Sequence, residues 1–230
     1  MRRTLCLLAL CALPLAAQER VQKIIQLKYA EPNSVATILG VFDLNMRLDN
    51  NLKVISVSGP SDRVSAAEAA IKQLDVAPKN VEMTVYFVTG SDKVIVAGNP
   101  IPQDLQPVIA QLQTAFAFKT YKLLDALSLR ARTGSGADTH GVLGTGPMPQ
   151  TTVFGIQSVS IGDDGTIRIE RMHAAVRVPI FPQGGKAEYT ETGVGQNVDV
   201  KDGQKIVVGR TSLEGPDKAL FLVLTAKVVP

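Results

Sequence analysis

Residues 81–88 alternate: Val81, Met83, Val85 and Phe87 fall on one side and Glu82, Thr84 and Tyr86 on the other. That period of two marks a half-buried strand. Just upstream, Val64, Ala67, Ile71 and Leu74 keep the spacing of one helical face. Residues 52–57 are β-rich and Gly59-Pro60 stops them; Ser61 offers a cap, and Asp75 and Pro78 close the helix. Residues 52–88 therefore predict strand, turn, helix, turn, strand.

The preceding residues repeat the theme. Ile25, Leu27 and Tyr29 share one face of a strand over 22–29, and Pro32 suits a first helical turn. Val35, Ile38, Leu39 and Phe42 follow a helical stripe, and a short strand over 44–48 leads into the turn Asp49-Asn50-Asn51. The predicted order over 20–89 is β-α-β-β-α-β, with both helices on one face of a small sheet. Residues 90–102 break the pattern around a short strand at 94–96 and read as a linker. A third helix follows, with Leu105, Val108, Ile109, Leu112 and Phe116 on one face and Pro107 in its first turn.

Beyond Phe118 the pattern is β, so 103–230 reads as a mostly antiparallel β domain with one helix at its start, and the whole chain as α+β. Residues 134–150 are rich in Gly, Pro and Ser and predict a flexible hairpin loop. Gly162-Asp163-Asp164-Gly165 and Asp202-Gly203 are hairpin signals. Ile167 and Ile169 differ in parity from Met172, Ala174, Val176 and Val178, which predicts a bulge near Arg171. Residues 220–224 are apolar on both faces, so that strand should be central and covered on both sides.

Composition changes the picture at the start of the chain. Arg2-Arg3, an apolar run over 5–15 and Leu15-Ala16-Ala17 form an export leader over 1–17. Its removal takes both cysteines, Cys6 and Cys11, and two of the positive charges behind the net +3. The mature chain then has no disulfide, no thiolate nucleophile and no Cys-metal site. Near-neutral charge and an aromatic share of 5% argue against nucleic acid as a partner.

Candidate chemistry is sparse. His140 and His173 are the only histidines, His140 in the Gly-rich loop and His173 mid-strand, and neither has a second His or Cys nearby to complete a metal site. No Gly-x-Ser-x-Gly elbow exists, and Gly193-Val194-Gly195 is not followed by a helical phosphate cradle. Asp163, Asp164 and Asp202 serve their turns. Arg130, Arg132, Arg168, Arg171 and Arg177 could line one face for an anionic ligand, or form a salt-bridged solvated surface; the second fits their interleaved acids better. No catalytic, cofactor-binding or metal residue is assigned, and no cofactor is implied.

The segment IIQLKYAEPNSVATILGVF, then DNNLKVISVSG, then IKQLD before VEMTVYFV, is similar to the small periplasmic ring-forming N-domains of bacterial secretins. Secretins are the outer-membrane gates of type II and type III secretion and type IV pilus systems. The matching residues are Tyr29-Ala30-Glu31, Asn51-Leu52 through Gly59, and Ile71 to Asp75. The tail, VDVKDGQKIVVGRTSLEGPDKALFLVLTAKVV, resembles the last strands of the secretin gate, with Arg210 where the family has Gly and Ala226 where it has Pro. About 130 residues follow the first domain, short for a full gate, and lipid-facing strands with aromatic girdles are not evident. The resemblance implies a KH-like first domain, a periplasmic or outer-membrane-associated location, and a non-enzymatic assembly component whose partners are its own copies or other secretion and pilus proteins. Side-by-side packing would use Lys53 and Arg63 on one side and Glu68 and Lys72 on the exposed helix face. The alternative is a periplasmic β-sandwich that grips a glycan or cell-wall ligand through the 134–150 loop.

Overall fold

A computed structural model describes residues 19–93, 99–145, 148–180, 188–213, 215 and 217–230. The leader and the strand expected at 94–96 lie outside the described residues. The chain divides into two compact units, Met1–Ala77 and Pro78–Pro230.

In the first unit, β1 (Arg20–Gln26), α1 (Pro32–Leu39), β2 (Asn45–Asp49), β3 (Val54–Pro60) and α2 (Ser61–Leu74) follow in order. The strands form an antiparallel sheet, β1-β3-β2. Both helices bury their stripes on one face of it: Val35 and Leu39 from α1, Val64, Ala67 and Ile71 from α2, against Leu27, Ile55 and Val57. Each large apolar side chain buried this way contributes about 1.5–3 kcal/mol. Ile38 departs from its predicted stripe and is 51% exposed. Ser61 is inside α2 and makes no side-chain cap; Pro60 occupies the cap position. The β2–β3 turn forms as expected, with Asp49 Oδ1 accepting from the N–H groups of Asn51 and Leu52.

The predicted sixth element of this module goes elsewhere. Residues 81–88 lie in β4 (Asn80–Ser91), which is central to the second unit's sheet. The division therefore falls at Ala77/Pro78, and Gly90 and Ser91, expected in the linker, are strand. Length explains the choice. Strands of the first sheet have 5–7 residues, whereas β4 has 12 and pairs along its whole length with β12 (Lys218–Val229) and β5 (Thr120–Arg132). A full antiparallel ladder on both sides satisfies backbone groups that a short sheet would leave open.

In the second unit the four-stranded sheet runs β11 (Lys205–Ser212), β12, β4, β5. The facing five-stranded sheet runs β10 (Glu188–Lys201), β9 (Thr166–Ile180), β7 (Gln150–Ile156), β6 (Ala137–Leu143), with β8 (Ser158–Ile161) also on β9. Their inner faces share one core, including Val81, Met83, Phe87, Phe154, Ile167, Met172 and Leu222. On the far side of the four-stranded sheet, α3 (Gln106–Ala115) buries Val108, Ile109 and Leu112 against Val88, Tyr121 and Phe221. This makes β12 central and covered on both faces, as its unbroken apolar run predicts.

Two turn readings change. The 134–150 stretch contains β6, so His140 is on a strand. The turn at Asp202-Gly203 is no hairpin: it carries the chain from β10 in one sheet to β11 in the other. Asp202 Oδ1 accepts from Val228 N–H at 2.7 Å and Gly203 N–H donates to Ala226 O at 2.8 Å, so β12 anchors the crossing. The Gly162–Gly165 turn does join β8 to β9, with Gly165 at φ 76°. The bulge at Arg171 is present: Gln196 pairs with Met172 and Val198 with Ile169, and Arg171 takes φ 46°.

Candidate functional site

The four charged residues expected at an interface all have partners inside the first unit. Lys53 precedes β3 and lies 3.5 Å from Glu31. Arg63, in the first turn of α2, lies 3.2 Å from Asp43. Glu68 bridges Lys23 at 2.5 Å and Lys72 at 3.4 Å. The hydrogen bond from Lys23, its charge and the neighbouring Lys72 hold the Glu68 carboxyl below the usual carboxylate range.

A fifth residue does more for this unit. Asp75, just past α2, accepts three backbone N–H bonds, from Lys28 at 2.8 Å, Tyr29 at 2.7 Å and Ala30 at 2.9 Å. Burial pushes its pKa up, but these bonds outweigh it and the net shift is downward. The two sequence signatures around Tyr29-Ala30-Glu31 and Ile71–Asp75 are thus one physical contact.

Both units have edge strands, and in the second unit one of them, β10, is 14 residues long. Among the described residues, β6 is laddered only to β7, and β10 only to β9. Side chains, not a ladder, stitch the lateral seams between the sheets. Gln196 Nε2 donates to Val208 O at 2.7 Å and Thr192 Oγ1 to Ser212 O at 3.3 Å at the β10–β11 seam. Beside the β5–β6 seam, Thr152 Oγ1 of β7 donates to Asp125 Oδ2 of β5 at 2.5 Å. A glycine permits each close approach: a Cβ at Gly141 would strike Thr152 and Asp125, and one at Gly209 would strike Val194.

On the outer face, residues align in rows across β6, β7, β9 and β10. Val142, Thr151, Arg177 and Glu191 form one; His140, Val153, Ala175 and Gly193 the next; Asp138, Gly155, His173 and Gly195 the third. Glu191 binds Arg177 Nε at 2.6 Å and His173 Nε2 at 2.7 Å, which lowers its pKa, Arg177 being the main cause. His140 lies 3.7 Å from Asp138. Arg130 and Arg132 are on the outer face of the other sheet, so the five arginines do not line one surface. Among the described residues no group of three or more His, Cys, Asp or Glu side chains is placed to hold a metal, and no helix is long and apolar enough to cross a membrane.

No protein-family model matches the chain, and no curated protein matches it in sequence. Solved structures do match. The type II secretin GspD of enteropathogenic Escherichia coli superposes with a TM-score of 0.63 at 12% identity, over 91% of this chain and 87% of its own. The fold is secretin-like. The type IV competence pilus secretin PilQ of V. cholerae matches at TM-score 0.59 and 12% identity, over 94% of this chain and 79% of its own. GspD of ETEC, solved with the pilotin AspS, matches at TM-score 0.63 and 12% identity, over 90% and 62%. Coverage of this extent carries the secretin-like fold through the middle of the chain as well as its two ends.

Proposed function

We propose that the chain is an exported, non-enzymatic envelope protein of a secretion or pilus system that works by joining copies of itself edge to edge. The carrying observation is the pair of open edges, β6 and β10, on one sheet. Unpaired N–H and C=O groups on a long edge are a template for another strand. The sheet path β10-β9-β7-β6 has four antiparallel strands, an even number, so β6 of one copy meets β10 of the next antiparallel. A head-to-tail contact of this kind closes into a ring when the rotation allows.

The secretin-like fold supports this reading, and the ETEC secretin solved with its pilotin supports a second envelope protein as a further kind of partner. The periplasm, or its outer-membrane side, is the matching location. The outer rows carry Asp138, His140, Arg177 and Glu191, which suits a wall facing water rather than lipid. Lys53, Arg63, Glu68 and Lys72 would then contribute a polar rim between neighbouring first units. The test is light scattering with electron microscopy on the mature chain. Closed multimers are the expected outcome; a strict monomer at high concentration that captures no envelope partner would overturn the proposal.

A further inference from the structure

Gly195 has no reason to be glycine inside its own copy. Its φ lies outside the left-handed region, and a Cβ there would meet only His173 Nδ1 at 3.7 Å and Met172 O at 3.9 Å, ordinary contact distances. Gly193, two residues earlier, is different: a Cβ there would collide with the backbone of Ala174 and Ala175. A glycine in a strand that internal packing does not demand marks a bulge, and the β9–β10 register shift begins at Gln196, or a place where another backbone or a ligand comes close.

The surroundings of Gly195 are built for an acid. It lies on the edge strand β10, on the outer face, flooring a depression of ≈ 290 Å³ lined also by Arg171, His173 and Asn197. Arg171 is the bulge residue, held at φ 46° with its N–H bonded to Asn197 Oδ1 at 2.9 Å. A bulge re-aims a side chain, at some cost in backbone strain. The Arg171 guanidinium makes no ion pair among the described residues, while Arg177 on the same strand is committed to Glu191.

Strand parity limits what a second copy can offer. If its β6 adds to β10 with inner faces aligned, only Asp138, His140 and Val142 point to the outer side. Asp138 is the one acid among them, it is exposed, and its only partner among the described residues is His140 at 3.7 Å. Within one copy Asp138 and Gly195 already share a row.

We infer that Asp138 of one copy seats over Gly195 of the next and pairs with its Arg171, fixing the register of the edge-to-edge contact. This rests on the edge-joining reading above. It is tested with paired cysteines in a chain carrying Cys6→Ala and Cys11→Ala. Within one copy β6 and β10 are three interstrand steps, roughly 14 Å, apart, beyond the reach of about 7 Å between Cα atoms that a disulfide allows. A cross-link therefore reports contact between copies. Asp138→Cys with Gly195→Cys should give covalent multimers under mild oxidation, and Asp138→Cys with Asn197→Cys or His140→Cys with Gly195→Cys should give at least tenfold less. Multimers from either shifted pair alone would overturn this register while leaving edge joining intact; none from any pair would overturn both. Charge exchange keeps the inference falsifiable without cysteines: Asp138→Lys should weaken association about tenfold, and adding Arg171→Glu should restore it. Failure of that rescue, with each single variant folded, would count against the pairing.

Discussion

The two units satisfy their surfaces in opposite ways. The first has a short sheet, and the four charges expected at an interface are each paired within it: Lys53 with Glu31, Arg63 with Asp43, Glu68 with Lys23 and Lys72. The second has its core enclosed by two sheets and a helix, and its five-stranded sheet ends on β6 and on β10, an edge of 14 residues against 5–7 in the first unit. Exposed ion pairs contribute little and change little when lost, whereas an unsatisfied edge is a standing demand for another strand. The surface poised for assembly is therefore the one with fewer conspicuous charges.

The largest break in that comparison would come from β12. Phe221 is fully buried between β12 and α3 and packs on Phe116, Phe118 and Tyr121. Phe221→Ala should cost the second unit about 3–5 kcal/mol. Hydrogen exchange followed by mass spectrometry should then show loss of protection across β4 and β12, with residues 19–77 unchanged. Equal loss in both units would mean that they do not hold separate cores.

A smaller effect is expected at the lateral seams. Gly209→Val places side-chain atoms where Val194 already packs, and Gly141→Val does the same against Thr152 and Asp125. Overpacking of this kind costs about 1–3 kcal/mol, measurable as a lower urea midpoint for the second unit. Gly195→Ala, whose Cβ would make only ordinary contacts with His173 and Met172, should leave the midpoint unchanged. A destabilised Gly195→Ala would show that this glycine serves its own copy and would remove the argument that it serves the next.

Much of this was legible from the residues. The helical stripes of α2 and α3, the Arg171 bulge and the central position of β12 follow from periodicity alone, because burial imposes it. The placement of β4 was not. Val81, Met83, Val85 and Phe87 would suit either core, and the choice was made by partners more than 30 residues downstream. Strand β6 was hidden because Asp138, Thr139, His140 and Gly141 lack the apolar alternation of a half-buried strand; an edge strand with one ladder partner does not need it. The turn Asp202-Gly203 has hairpin chemistry, but turn residues specify a local reversal and not which sheet receives the chain. The open edges, which carry the proposed site, have no sequence signature, since they are defined by what does not pair.

Asp75 sharpens the comparison from the side of the first unit. Its three backbone acceptor bonds tie the end of α2 to the loop before α1. Asp75→Asn should cost about 1–2 kcal/mol at neutral pH, the partial exposure of the carboxylate keeping it toward the low end. Its folded pKa lies below the ordinary aspartate value, so the stabilisation is present above the unfolded pKa, near pH 4, and is lost as pH falls through the folded pKa. Urea unfolding of the first unit from pH 7 to pH 2 should be steeper in the native chain than in Asp75→Asn. Parallel pH profiles would show that the charge on Asp75 contributes nothing.

The smallest effect is expected from the charges that look most like an interface. Arg63 and Asp43 are both solvated, with 46% and 95% of their side chains exposed, and such a pair contributes under about 0.5 kcal/mol. Arg63→Ala should leave the first unit's urea midpoint within error. Because its charge is matched inside the copy, the same change should weaken self-association less than threefold in sedimentation at physiological salt, against about tenfold for Asp138→Lys. The ratio between the two variants matters more than either value. If Arg63→Ala proves the more damaging, the paired charges of the first unit exchange partners between copies. The open edges of the second unit would then follow assembly rather than drive it.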